Sequence, residues 1–291
     1  MLDLALQQVV NGLLVGSTYA LMALGLMVIL GILQVINMSQ GQLYMLGGYC
    51  SYFATSILGI GYFPSIAVAM LLMAVGGVVV ERVAVRPFLK RPFYITFLST
   101  TAVSLMIEDA AQILWTADPR RIETPFQPMP IQIGPVYLSM QRIFIFCFAV
   151  AGVLAFAAFL KWTRVGLAIR ALAKDRDTAM LMGINADRIH TLTFAVGAAL
   201  AGAAGALIGA MFGVYPSMGE LPLLKGFALV VMGGMGSVFG VLGASLMLGV
   251  AEGLTAAFIS TSLVDLVAFA TMIAVLLVRP EGLGRWGGRH G

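Results

Sequence analysis

Ser39 and Gln42 stand at the spacing of a capping box, in which each side chain bonds a free backbone N–H at a helix start. They lie in the polar stretch Ile36-Asn37-Met38-Ser39-Gln40-Gly41-Gln42, between two apolar runs. A helix beginning there leaves N–H groups free, a positive dipole end that can meet a carboxylate. Asn37 and Gln40 add neutral donors and acceptors. A second interruption, Gly233, Gly234, Gly236 and Ser237, divides another long apolar run. These eight residues are the expected substrate path, suited to weak contacts with a zwitterion or small amide. A plain turn, or polar pairing between helices, are the structural alternatives.

No bond-breaking chemistry is legible. The chain has no G-x-x-x-x-G-K-[ST] phosphate loop and no His, Cys and carboxylate cluster at metal-site spacing. The acids Glu108, Asp109, Glu252 and Asp265 stand in or beside apolar runs without an obvious basic partner in sequence, which gives weak support to a proton relay. His190 and His290 are expected outside the spans. Cys50 and Cys147 are far apart in apolar segments and read as ordinary lipid-phase or core cysteines. No cofactor and no metal are expected on this chain.

The elements that position these residues are membrane helices. Of the 291 residues 60% are hydrophobic and 10% charged, well below the charge of a soluble domain. The fold class expected is all-α, polytopic and integral to the membrane, with about 7–8 transmembrane helices and two broken or re-entrant half-helices. The apolar runs are 9–36, 41–60, 62–80, 94–114, 143–160, 191–214, 226–256 and 263–278. Residues 1–8 hold no Lys or Arg, so the first run is expected to be kept as a span.

Charge sets orientation. Most of the 17 basic residues fall in 81–93, 161–190 and the C-terminal tail with Arg279, Arg285 and Arg289, which are expected inside. The basic residues follow the loops, so nucleic acid is not a partner. The proline-rich segment 115–142 is expected outside. Val9 to Ile36 makes about 42 Å of helix, against a hydrocarbon core of about 30 Å. A span over 9–24 and a half-helix over 25–36 resolve the excess and place the N-terminus inside. A half-helix over 225–232, a break and a span over 238–256 do the same later. The single domain 1–291 then has repeat-like halves, 9–80 and 191–278, running in the same direction about an axis along the membrane normal. Glycines at four-residue spacing (Gly12 and Gly16; Gly205, Gly209 and Gly213; Gly236 and Gly240) read as helix packing.

The loop 161–190 carries Val165–Asn185, a charged segment expected to form one helix over 166–182 with Gly183 as its cap. Leu172, Ala179 and Met182 share one face, while Arg170, Lys174, Asp175, Arg176 and Asp177 supply charge elsewhere. Such a helix is a docking element for a soluble partner.

At these stretches the sequence resembles the permease subunit of bacterial ABC importers for branched-chain amino acids. The matching segments are Tyr19–Gly25, Val35–Gly47, Gly166–Asn185, Leu200–Gly205, Val231–Gly240 and Arg279–Leu283. The length suits the smaller of two paired permeases. The resemblance implies an importer in the bacterial inner membrane with a second homologous permease, two cytoplasmic ATPase subunits that carry ATP and Mg, and a periplasmic substrate-binding protein. It puts the coupling loop on Arg164–Asn185. Family members usually carry Asn-Phe-Ala-His-Gly where this chain has Asn37-Met38-Ser39-Gln40-Gly41, and related importers carry urea or short amides. An ion-coupled carrier and a structural membrane protein are the readings from other classes.

Overall fold

The computed structural model describes residues 2–89, 91–126, 130–133, 136–278 and 282–284. Lys90, Arg279, Arg285, Arg289 and His290 lie outside the described residues. The helices are α1 (Leu2–Leu33), α2 (Gln40–Ser56), α3 (Tyr62–Val80), α4 (Phe93–Trp115), α5 (Met140–Trp162), α6 (Arg164–Lys174), α7 (Arg176–Leu181), α8 (Ala186–Phe212), α9 (Glu220–Gly233), α10 (Val238–Phe258) and α11 (Val264–Val278). A short hairpin, β1 (Pro130–Ile133) with β2 (Val136–Ser139), precedes α5. The chain is an all-α polytopic membrane protein. Among the described residues six helical stretches are long and apolar enough to cross: Asp3–Leu33, Tyr62–Phe88, Met140–Trp162, Ala186–Phe212, Val238–Phe258 and Thr261–Val278. α4 has 23 residues, but Glu108 and Asp109 hold its hydropathy below theirs. α2, with 17 residues, and α9, with 14, are short.

α1 is unbroken over 32 residues, so the expected half-helix at 25–36 does not exist. Its excess length is taken up outside the bundle. Near its start Gln7 donates to the Tyr137 carbonyl at 2.9 Å and accepts from the Tyr137 N–H at 2.7 Å. Its middle, from Ala20 to Ile29, is buried among other helices. A run buried on all sides carries no periodic polar face, so length alone could not locate its end.

Contacts along α1 set the directions. α5 runs parallel to it, with Asn11 meeting Arg142 and Leu21 meeting Gly152. α10 runs antiparallel, with Gly12 against Gly249 and Gly16 against Ser245. The N-terminus therefore lies at the end of the molecule that holds the 115–142 segment, here the hairpin end. It is opposite the basic end formed by Arg82, Arg86 and the 161–190 loop. The expectation that the N-terminus shares the basic side is overturned, because it depended on the missing half-helix.

The same correction reverses the repeat. α3 packs antiparallel along α8, with Gly77 at Phe194 and Ala198 and Gly202 at Met73. α2 runs parallel to α8, from Gln40 at Gly197 to Gly48 at Gly205. α4 runs parallel to α2, since Thr100 meets Ile36 and Gln42 meets Glu108. Thus the first half enters with α1 from the hairpin end and the second half enters with α8 from the basic end. The halves are inverted, with the axis in the membrane plane.

Glycines are the contact surface of this bundle. Gly12, Gly16, Gly205, Gly209 and Gly240 each leave no room for a Cβ beside a neighbouring element. Gly213 and Gly236 instead occupy turns at φ 88° and φ 100°, where an L side chain is strained. His190, expected outside the spans, is buried in α8.

Candidate functional site

Two chain breaks re-enter the bundle and meet at middle depth. The first is 34–39. α1 ends at the basic end, Gln34 turns with φ 52°, and the chain climbs back to start α2 at Gln40. Gln40 Nε2 donates to the Gly197 carbonyl at 2.9 Å. That carbonyl is about 16 Å along α8 from its basic end and about 22 Å from its other end. The second break is 213–219. Val214 pairs its backbone with Arg120 at the hairpin end, and the chain then descends through Pro216 and Gly219 into α9. Gly41 and Gly219 meet with no room for a Cβ on either. The starts of α2 and α9 therefore converge, which brings two positive helix-dipole ends to one place.

The polar side chains at this junction are spent in different ways. Ser39 does not cap α2. Its hydroxyl donates to Asn37 Oδ1 at 2.6 Å, and Asn37 Nδ2 donates to Gln40 Oε1 at 3.3 Å. The Met38 N–H is satisfied by Thr100 Oγ1 at 3.3 Å. Gln42 does not reach back to Ser39, so the capping box is not formed. It reaches across to α4, where Nε2 donates to Glu108 Oε2 at 2.9 Å. Asn37, Ser39, Gln40 and Gln42 are all buried. Around Asn37, Ser39 and Gln40 the break is thus a polar knot bonded within the protein at middle depth, the arrangement that lets irregular backbone survive there.

The other four candidates are not brought to the junction. Gly233, Gly234, Gly236 and Ser237 form the turn from α9 to α10 at the basic end. Ser237 caps α10 by accepting from the Gly240 N–H at 3.0 Å. Gly236 and Met235 line a cleft of about 410 Å³ with Gln34, Arg170 and Lys174. The residues exposed along the descending break are instead Tyr215, Ser217 and Glu220. The run Gly213-Val214-Tyr215-Pro216-Ser217-Met218-Gly219 carried the signal, as a Gly and Pro cluster between two apolar helices.

Lys225 was also missed. From α9 it reaches Glu252 Oε1 at 2.8 Å and Asp265 Oδ1 at 2.9 Å, and Tyr19 donates to Glu252 Oε2 at 3.2 Å. The expectation that these acids lack a basic partner is therefore overturned. The partner is 27 residues away from Glu252 in sequence and adjacent only after folding.

The coupling segment is two helices, not one. Asp175 leaves the helical region at φ −155° and ends α6. Its carboxylate then caps α7, accepting from the N–H groups of Asp177 and Thr178 at 3.1 Å each. The Thr178 hydroxyl also donates to it at 2.5 Å, and these bonds hold the Asp175 carboxyl below its ordinary pKa. Gly183 turns the chain at φ 87° after α7. Leu172 and Ala179 face into the protein and are buried, whereas Met182 is 80% exposed and Leu181 88% exposed. The expected shared face is therefore kept only in part: Met182, after α7, turns outward, and Leu172 and Ala179 stay buried on either side of the bend at Asp175. Arg170, Lys174 and Asp177 lie on the outer surface around it.

Re-entrant half-helices meeting at middle depth, with a capped loop helix at one end, define a membrane transport subunit. A family model described as the branched-chain amino acid transport system permease component matches residues 8–276, and the chain belongs to that family. It is 37% identical to the high-affinity branched-chain amino acid transport system permease protein LivH of Salmonella typhimurium, with 96% of each chain covered. It is 36% identical to BraD of Pseudomonas aeruginosa over 96% of each. It is 26% identical to LivM of Escherichia coli, covering 91% of this chain and 67% of LivM. The solved structure of PsaBC from Streptococcus pneumoniae in complex with Fab shares the fold alone, at TM-score 0.50 and 13% identity over 93% of this chain.

Proposed function

We propose that this chain is one permease subunit of an ATP-driven importer for branched-chain amino acids in the bacterial inner membrane. It works beside a second homologous permease, with two ATPase subunits at the basic end and a periplasmic binding protein at the hairpin end. ATP and Mg belong to the ATPase subunits. The observation that carries this reading is the junction of Gly41 and Gly219, two half-helix starts at middle depth in a chain that matches the permease family over residues 8–276. Irregular backbone at that depth is tolerated where it is packed by protein or lines a water path. Tyr215, Ser217 and Glu220 face outward there, so the path runs along this face, between this chain and the second permease.

The exposed tip Met180-Leu181-Met182 supplies the apolar contact for an ATPase groove. Rigid-body motion passes through α6 to the cleft it shares with Gln34 and Gly236. An ion-coupled carrier loses its best acid, because Glu252 is held by Lys225. The test is uptake of labelled L-leucine by the assembled complex in proteoliposomes. Uptake that requires ATP, the ATPase subunits and the binding protein supports the reading. Uptake driven by an ion gradient without the ATPase overturns it.

A further inference from the structure

We propose that Glu108, with Gln42, forms a subsite for the ammonium group of the transported solute. This rests on the permease reading and goes further, since it assigns a charge to the substrate. Glu108 is on α4, about 10 Å from the hairpin end of that helix, at the level of the junction. It is 8% exposed, and among the described ion pairs none involves it. An acid at that depth without a cation is costly and marks a place where a cation passes. Asp109 follows Glu108 in sequence, so like charges stand close and a visiting cation relieves them.

A second observation is independent of charge. Gln42 is 2% exposed, and its Nε2 is used on Glu108, yet its Oε1 has no hydrogen-bond partner. A buried carbonyl oxygen without a donor is rare. Here it sits on the same amide that grips Glu108, so the oxygen and the carboxylate present two acceptors side by side. An alkylammonium has three donors and satisfies both. The positive dipole ends of α2 and α9, which converge at Gly41 and Gly219, suit the carboxylate of the same zwitterion. Urea and short amides are neutral and gain much less from an acidic group. The departure from the usual family residues at 38–40 does not argue for them, because those side chains are bonded inward.

The experiment compares Glu108→Gln, Glu108→Asp and Gln42→Leu in the complete importer in proteoliposomes, with L-leucine as the probe. Co-purification of the partner subunits and basal ATP hydrolysis report assembly. The expected result is that Glu108→Gln lowers uptake about tenfold or more, the scale of one charge-assisted hydrogen bond, with assembly intact. Glu108→Asp recovers part of the loss, and Gln42→Leu falls between. Equal uptake by Glu108→Gln and the unaltered importer overturns the subsite and leaves the permease reading standing. So does loss of assembly in Glu108→Gln that Glu108→Asp fails to restore, since the residue is then structural. An unaltered importer that moves no L-leucine overturns the permease reading itself.

Discussion

Gly41 and Gly219 touch backbone to backbone where two half-helices begin, and nothing larger than hydrogen fits between them. The contact holds the two re-entrant breaks at one depth and links the inverted halves. Gly219→Val removes it by forcing the starts apart. The expected outcome is a chain that reaches the membrane but loses about 2–3 kcal/mol or more of stability, read as a lower thermal midpoint in detergent. An unchanged midpoint contradicts the close contact.

Orientation follows from the unbroken α1. In a chain with Cys50 and Cys147 replaced, Leu4→Cys is expected to react with an impermeant thiol reagent from the periplasm. Lys174→Cys is expected to react only after the membrane is opened. Leu4 is 47% exposed, so access is not limited by packing. Both positions reacting from the same side would contradict the direction of α1.

Lys225 on α9 holds Glu252 and Asp265, with 7% of its side chain exposed. Lys225→Met leaves a buried carboxylate without its cation and is expected to cost about 3–5 kcal/mol. Adding Glu252→Gln is expected to restore part of that cost, since the uncompensated charge is gone. Thermal unfolding of the single and double variants checks this. A double variant no more stable than the single one contradicts the pairing.

The coupling segment carries two kinds of apolar residue, buried Leu172 and Ala179 and exposed Leu181 and Met182. Leu181→Asp, at an exposed position, is expected to keep the chain folded while reducing ATP-driven uptake and co-purification of the ATPase. Leu172→Asp buries a charge and is expected to cost about 3 kcal/mol or more, so the chain itself is lost from the membrane. Full uptake by Leu181→Asp at normal expression contradicts the docking tip.

Much of this architecture was legible because membrane helices announce themselves by length and hydropathy. The half-helix and span on either side of Gly233–Ser237 were readable, since a Gly-rich break divides a run too long for one crossing. The first break was readable as polar chemistry at 37–42, but not the helix before it. Residues 25–33 are as apolar as the rest of α1, and no local signal says whether such a run continues or turns. That one ambiguity changed the parity of the first half and with it the direction of the repeat. Lys225, Glu220 and Ser217 were illegible for a different reason. Their roles come from contacts between elements distant in sequence, Lys225 with Glu252 and Asp265, and the break at Gly219 with Gly41. The bend at Asp175 had a local cause, an Asp followed three residues later by Thr178, which favours a cap over a continuous helix.

The central claim is that solute passes the Gly41 and Gly219 junction in an ATP-driven importer. The most direct measurement places a single cysteine at Ser217, which is exposed beside that junction, in a chain with Cys50 and Cys147 replaced. ATP-driven uptake of L-leucine by the complete complex is then measured before and after reaction with a bulky thiol reagent. The account predicts that labelling abolishes uptake while the complex stays assembled, and that turnover in the presence of substrate-loaded binding protein changes the labelling rate. Full uptake by a completely labelled complex would contradict it.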